Sequence, residues 1–123
     1  MLVELLKKMF DEVTIKKNSE AIPIYYHPEF LMITNQKEMS YTDFYTAHIN
    51  IYGTSINYSI RYDEQTFVEQ NDKIACRVWI TTKRENEAAV EIEVMLIVQY
   101  KIGKIYRLWE LTFPDWSTLP AFS

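Results

Sequence analysis

Apolar residues recur at helical spacing from Leu2 to Val13. Leu2, Leu5, Leu6, Met9, Phe10 and Val13 fall on one stripe, and Glu4, Lys7, Lys8, Asp11 and Glu12 fill the opposite face. The period predicts an amphipathic helix of about four turns. Asn18-Ser19-Glu20 interrupts it. A short second helix is expected over Ala21 to Tyr26, with Ser19 as its N-cap, and His27-Pro28 ends it because the residue before proline avoids the α region. Phe30 to Thr34 reads as a strand and Asn35-Gln36-Lys37 as a turn. Ser40 and Asp43 give a Ser-x-x-Asp helix start. The third helix has its stripe at Tyr41, Phe44, Tyr45, His48, Ile51 and Tyr52, with Gly53 as its stop.

Beyond Gly53 the period changes from helical to two. Ile56, Tyr58, Ile60 and Tyr62 alternate with polar residues. Ile74, Cys76, Val78 and Ile80 alternate with Ala75, Arg77, Trp79 and Thr81. Val90, Ile92, Val94, Leu96 and Val98 alternate with Glu91, Glu93, Met95 and Ile97. Gly103 turns the chain into a last strand, Lys104 to Phe113, which Pro114-Asp115 breaks. Helices first and a strand meander afterwards is an α+β order. The late strands carry apolar residues on both faces, which a sheet with one solvated face does not need. Simple alternation in the last strand puts Ile105, Trp109, Leu111 and Phe113 on one side and Tyr106, Leu108, Glu110 and Thr112 on the other.

Composition narrows the function classes. A chain of 123 residues suits one domain over 1–123, and 48% apolar residues exclude a disordered or low-complexity chain. The formal charge is −4 and the basic residues occur at most in pairs, so nucleic acid is not an expected partner. The lone Cys76 cannot form an intrachain disulfide or a cysteine-based metal cluster. No helical His-x-x-x-His and no glycine-rich phosphate loop is present, so neither metal nor nucleotide cofactor is expected. The start of the chain lacks a signal-peptide pattern, and the longest apolar run, Val94 to Val98, is far too short to span a membrane. The expected compartment is the cytoplasm, with no membrane partner.

The order of these elements, with Tyr-Tyr-His-Pro-Glu-Phe closing the second helix, Gly103-Lys104-Ile105 at the last turn and Trp109-Glu110 on the final strand, resembles the nuclear-transport-factor-2-like superfamily, and within it the SnoaL-like branch. The resemblance covers essentially the whole chain. It implies a cone: a curved, mostly antiparallel sheet wrapped around about three N-terminal helices, with a pocket at the open end. It further implies a homodimer formed through the sheet, which would cover the second apolar face. The superfamily holds polyketide cyclases, ketosteroid isomerases and limonene epoxide hydrolases, and also proteins that only bind a ligand, so fold alone does not set function.

The candidate residues follow. Glu110, between Trp109 and Leu111, corresponds to an acid that faces the pocket in members resembling limonene epoxide hydrolase; a desolvated carboxyl there would hold a proton near neutral pH, against the alternative of a place on the open face, paired with a Lys or Arg of a neighbouring strand. Arg77 is its expected partner, against the alternative of a surface ion pair with Glu91 or Glu93. His48, on the buried stripe of the third helix, is a candidate proton shuttle or a structural histidine. Tyr26, Tyr45, Phe30, Trp79 and Trp109 are expected to line a pocket for a small hydrophobic or aromatic ligand. His27 is expected to cap the second helix, Cys76 to be an inert core thiol and Asp115 to be solvated. Two family chemistries are missing their residues. Thr34-Asn35 stands where a ketosteroid isomerase would have its aspartate, and Arg77 lacks the Arg-x-Asp of an epoxide hydrolase. Two readings remain: acid–base catalysis by Glu110, Arg77 and His48 on one cavity, or a non-catalytic ligand-binding or dimerisation module.

Overall fold

The computed structural model describes residues 1–123. The amphipathic N-terminal stripe forms α1 (Leu2–Met9) and runs on into a wider π-helical turn, Phe10–Ile15. There Lys16 N–H reaches the Asp11 carbonyl and Asn18 N–H the Val13 carbonyl, both at i−5 spacing. Leu6, Met9, Phe10 and Val13 are buried, so the expected apolar stripe is the core stripe. The second helical segment is shorter than expected. A 3₁₀ turn, Ser19–Ala21, precedes α2 (Ile22–Tyr25), and Tyr26 already has extended backbone. Its cap is Asn18, whose side chain accepts from Glu20 N–H, and not Ser19. An amide oxygen one residue earlier reaches the first free N–H of this tight turn. His27 caps no helix: it lies in β1 (Tyr26–Thr34), and its Nδ1 accepts from Glu29 N–H.

Asn35 and Gln36 take left-handed backbone (φ 48° and 71°) and turn β1 into β2 (Lys37–Ser40). Ser40 caps α3 (Tyr41–Tyr52) by accepting from Asp43 N–H, as its sequence predicts. Gly53 ends this helix without left-handed geometry (φ −76°); Thr54 supplies the stop by donating its hydroxyl to the Ile51 carbonyl at 2.7 Å. The remaining strands are β3 (Asn57–Tyr62), β4 (Val68–Gln70), β5 (Lys73–Lys83), β6 (Val90–Lys101) and β7 (Lys104–Phe113).

One mixed sheet has the order β2-β1-β7-β6-β5-β3, with β4 also paired to β5. All pairs are antiparallel except β1 with β7. The inner face carries Met32, Ile74, Val78, Ile92, Val94, Leu96, Val98, Ile105 and Leu108 against α1 and the π turn. The surface area is 7038 Å², against about 6,900 Å² expected for a compact chain of this mass.

Simple alternation fails at one point in β7. Tyr100 pairs with Ile105, but Gln99 pairs with Arg107, so Tyr106 is an extra residue on β7. Such a bulge reverses the side-chain parity along the strand. Ile105 therefore joins Leu108 and Glu110 on the inner face, while Trp109, Leu111 and Phe113 point outward, Phe113 with 77% of its surface exposed. The outer face also exposes Met95 and Ile97, giving the second apolar face that the sequence pattern anticipates.

Candidate functional site

Between the inner face, α1 and α3 lies a cavity of about 410 Å³. That is within the range of small-molecule sites. Its walls are mostly apolar. Core strands supply Leu96, Val98 and Leu108, α1 supplies Leu6 and Met9, and the C-terminal segment supplies Trp116 and Phe122. No Lys or Arg lines it, and Glu110 is its one acidic side chain. This explains why α3 is only partly buried. Phe44 reaches the core, while Ala47, His48, Ile51 and Tyr52 line the cavity.

Glu110 enters from β7, opposite Thr34 of β1 in the parallel register. Thr34, 2% exposed, lies 2.8 Å from Glu110 Oε2, and Trp116 Nε1–H donates to the same threonine oxygen at 2.7 Å. An indole N–H can only donate, so the Thr34 hydroxyl hydrogen is left for Glu110. Glu110 Oε1 has no protein partner. Burial among apolar walls pushes the carboxyl above the ordinary carboxylate range, and the Thr34 hydrogen bond pulls it back in part.

His48 enters from α3. Its Nδ1 lies 2.7 Å from the Phe44 carbonyl, an acceptor, so Nδ1 carries the hydrogen and Nε2 keeps its lone pair. Burial lowers the pKa of the ring and the Phe44 bond raises it in part, which keeps the imidazole neutral at pH 7. Phe44 and Tyr52 pack on either side of it, with ring centres 4.1 and 5.4 Å away. The Tyr52 hydroxyl is buried without a hydrogen-bond partner, and burial pushes it up to about 12.

Arg77 is not in the cavity. Its register partner is Met95, which pairs with Leu111, and all three lie on the outer face. The guanidinium binds Asp63 Oδ2 at 2.7 Å and Glu93 Oε2 at 3.0 Å. Alternation along β5 puts Arg77 on the face opposite Cys76, so the expected pair with Glu110 is corrected: the sheet separates them. The surface-pair alternative holds for Glu93, with Asp63 as a stronger partner that the sequence analysis misses. Trp79 is also on the outer face, stacked between Arg61 and Arg77. Trp109 is on the same face as Leu111. Tyr26 lines the cavity, its hydroxyl on Met9 sulfur at 3.3 Å. Phe30 is core packing behind that wall, against Tyr26 and Phe44. Tyr45 stacks on Tyr41 and does not reach the cavity. Cys76 is buried and free, its thiol pushed up to about 12 by burial.

Asp115 is held and not simply solvated. It accepts from Ser117 N–H and from the Asn35 side chain, whose amide also bonds Thr112. Sequence reasoning misses Thr34, Asn35, Thr112 and Trp116 as site residues. Each lies in a turn or at a strand end, where no periodicity marks a functional face; Asn35 alone carries a signal, as a turn residue able to bond distant backbone.

No family model matches the sequence, and no curated protein matches it either. Solved structures do. PrhC from Penicillium brasilianum superposes with a TM-score of 0.79 at 17% identity, covering 90% of this chain and 79% of that one. This chain has the nuclear-transport-factor-2-like fold. A limonene-epoxide-hydrolase-like epoxide hydrolase of M. tuberculosis superposes at 0.75 with 5% identity, over 93% and 85% of the two chains. A loop-truncated IdmH superposes at 0.72 with 10% identity, over 99% and 98%. Such identities carry the fold and no residue roles. No helix is long and apolar enough to cross a membrane, and no cluster of three or more His, Cys, Asp or Glu side chains is arranged to hold a metal ion.

Proposed function

We propose that this chain binds a small, uncharged, mostly apolar molecule in the cavity and moves a proton on it. Glu110 is the proton donor and His48 the acceptor. The observation that carries this reading is Glu110 Oε1: a carboxyl oxygen without a protein partner, in an apolar cavity that supplies no cation to ionise it. A carboxyl so placed holds its proton to higher pH and releases it to a basic oxygen brought beside it. Neutral His48, with Nε2 free, supplies the complementary base on the same cavity. Proton transfer of this kind suits an isomerase, cyclase, dehydratase or hydrolase, and the M. tuberculosis neighbour is an epoxide hydrolase of the same fold. Without a second carboxylate, the water-activating arrangement of limonene epoxide hydrolases has no counterpart here.

Native mass spectrometry of the purified protein tests whether a ligand co-purifies. Turnover of that ligand by wild type, Glu110→Gln and His48→Gln then separates the two readings. Catalysis predicts that Glu110→Gln keeps the ligand and loses turnover at least about 100-fold. Retained ligand with no turnover by any of the three proteins means a binding module.

Assembly belongs to the same proposal. Met95, Leu111 and Phe113 are 51%, 59% and 77% exposed on one sheet face, and a second copy of the chain would cover them. Light scattering at micromolar concentration should give a dimer; a monomer at that concentration overturns this part. A free, buried Cys76 suits the reducing cytoplasm.

A further inference from the structure

We infer that Thr34 and Trp116 are positioning residues that select which oxygen of Glu110 carries the proton, so that the C-terminal segment is part of the acid–base device. This rests on the reading of Glu110 as the proton donor and adds how that donor is aimed.

The argument is one of hydrogen-bond direction. Trp116 Nε1–H has no acceptor role, so its bond to Thr34 Oγ1 makes that oxygen an acceptor. The threonine has one hydroxyl hydrogen left, and Glu110 Oε2 lies 2.8 Å away to take it. The arrangement that gives the indole N–H and the hydroxyl hydrogen a partner each has Oε2 as the acceptor. A proton on Glu110 then sits on Oε1, the oxygen that meets a ligand. Trp116 takes one of the two lone pairs of the Thr34 oxygen and fixes the hydroxyl's orientation; without it the hydroxyl is freer to rotate and accept from a protonated Oε2, which would turn the acid away from the cavity and into the wall.

The indole is held for this task by more than packing. The Trp116 backbone N–H donates to Thr112 Oγ1 at 3.2 Å, and Thr112 is clipped to Asn35 in both directions, side-chain amide to hydroxyl and backbone N–H to amide oxygen. Asp115 Oδ1 accepts from Asn35 as well. The end of β1, the end of β7 and the segment after Pro114 thus form one polar chain ending on Glu110. Phe122 packs edge-on against the Trp116 ring at 5.6 Å. The titratable groups that share the cavity with Glu110 are His48 and Tyr52 from α3, Tyr26 from β1 and Tyr58 from β3.

The test follows the Glu110 carboxyl by carbon-13 NMR of glutamate-labelled protein, its signal assigned by loss in Glu110→Gln. Thr34→Val removes the donated hydrogen and keeps the shape, so the titration midpoint should rise by about one pH unit. Trp116→Phe should raise it by less, and Thr34→Ser should restore the wild-type midpoint. The Trp116 indole N–H should exchange faster with solvent in Thr34→Val than in Thr34→Ser. If Thr34→Val and Trp116→Phe titrate at the wild-type midpoint, the positioning role is wrong and the site reading survives. If wild-type Glu110 titrates as an ordinary carboxylate, the site reading itself fails. Should Thr34→Val not fold, an unmoved midpoint in Trp116→Phe alone overturns the inference.

Discussion

Strand β7 presents two different environments one residue apart. Leu108, Glu110 and Thr112 face the cavity; Trp109, Leu111 and Phe113 face outward. The acids on the two sides are treated in opposite ways. Glu93, on the outer face, meets Arg77, and Glu91 meets Arg61. Glu110 meets a threonine hydroxyl and no cation. The outer charges are compensated by countercharges and water, whereas burial without a countercharge raises the pKa of the inner carboxyl. A structural ion pair needs the first arrangement, and a proton donor near neutral pH needs the second. The difference lies in which face a residue reaches, and in β7 the bulge at Tyr106 decides that.

The largest expected effect breaks the comparison at the level of packing. Ile105→Ala, at 1% exposure, should cost about 3 kcal/mol of unfolding free energy in a urea melt. Leu111→Ala, six residues along the same strand on the other face, should cost no more than about 0.5 kcal/mol in the monomer. Equal costs would mean that the face assignment after the bulge is wrong.

A second test concerns charge. The folded-state pKa of Glu110 is raised above its unfolded value near 4.5, so the native state binds more protons than the unfolded one in that window. Stability from this group is therefore full below about pH 4.5 and is lost as pH climbs through the folded-state value. Glu110→Gln removes the loss. Its melting temperature should exceed wild type at pH 8 and equal it at pH 4. The gain is about 1 kcal/mol, held below that of a fully enclosed charge because the carboxyl keeps contact with the open cavity. A variant less stable than wild type at pH 8 would show the carboxylate to be well solvated.

His48 gives the opposite sign. Its folded-state pKa is lowered from 6.5 by burial, so its contribution is present above pH 6.5 and is lost as pH falls through the folded-state value. His48→Gln should lose less stability than wild type between pH 6.5 and 5, by under about 1 kcal/mol, since the Phe44 carbonyl already favours the charged ring in part. Parallel acid limbs in the two proteins would place the imidazole in water.

Much of the fold is legible in the residues because its signals are periodic. The stripe Leu6, Met9, Phe10, Val13 and the alternation through β5 and β6 each fix a buried face. The Ser40 cap needs only two residues at the right offset. Glu110 and His48 are legible as candidates because each interrupts an apolar pattern. What sequence could not carry is parity and reach. One extra residue at Tyr106 moves Ile105 to the inner face, and no composition signal marks the bulge. Arg77 and Glu110 look like partners because each is a lone charge in an apolar strand, but their separation is set by which face each occupies. Thr34 and Trp116 are 82 residues apart in sequence. They meet because β1 and β7 are the one parallel pair, a pairing that local pattern does not reveal.

The smallest expected effect sharpens the comparison most. Arg77→Ala should leave the Glu110 titration unmoved, within about 0.2 pH unit. Arg77 and Glu110 lie on opposite faces, and the guanidinium charge is already neutralised by Asp63 and Glu93. Those hydrogen bonds, the one to Asp63 foremost, raise the Arg77 pKa and tie its charge to the outer face. What Arg77→Ala should change is the outer face itself. Asp63, with a side chain 17% exposed, loses its countercharge, and Glu93 is left beside Asp63 and Glu91 without the cation between them. The variant should melt at a lower temperature than wild type. The deficit should shrink between 10 mM and 500 mM salt, about 30 Å and 4–5 Å of screening length, because part of it is repulsion among carboxylates near solvent. Thr34→Val should do the reverse, moving the Glu110 midpoint with no dependence of its effect on salt. A Glu110 midpoint that rises in Arg77→Ala as it does in Thr34→Val would mean that the sheet does not insulate its two faces, and the assignment of Glu110 to a cation-free cavity would have to be withdrawn.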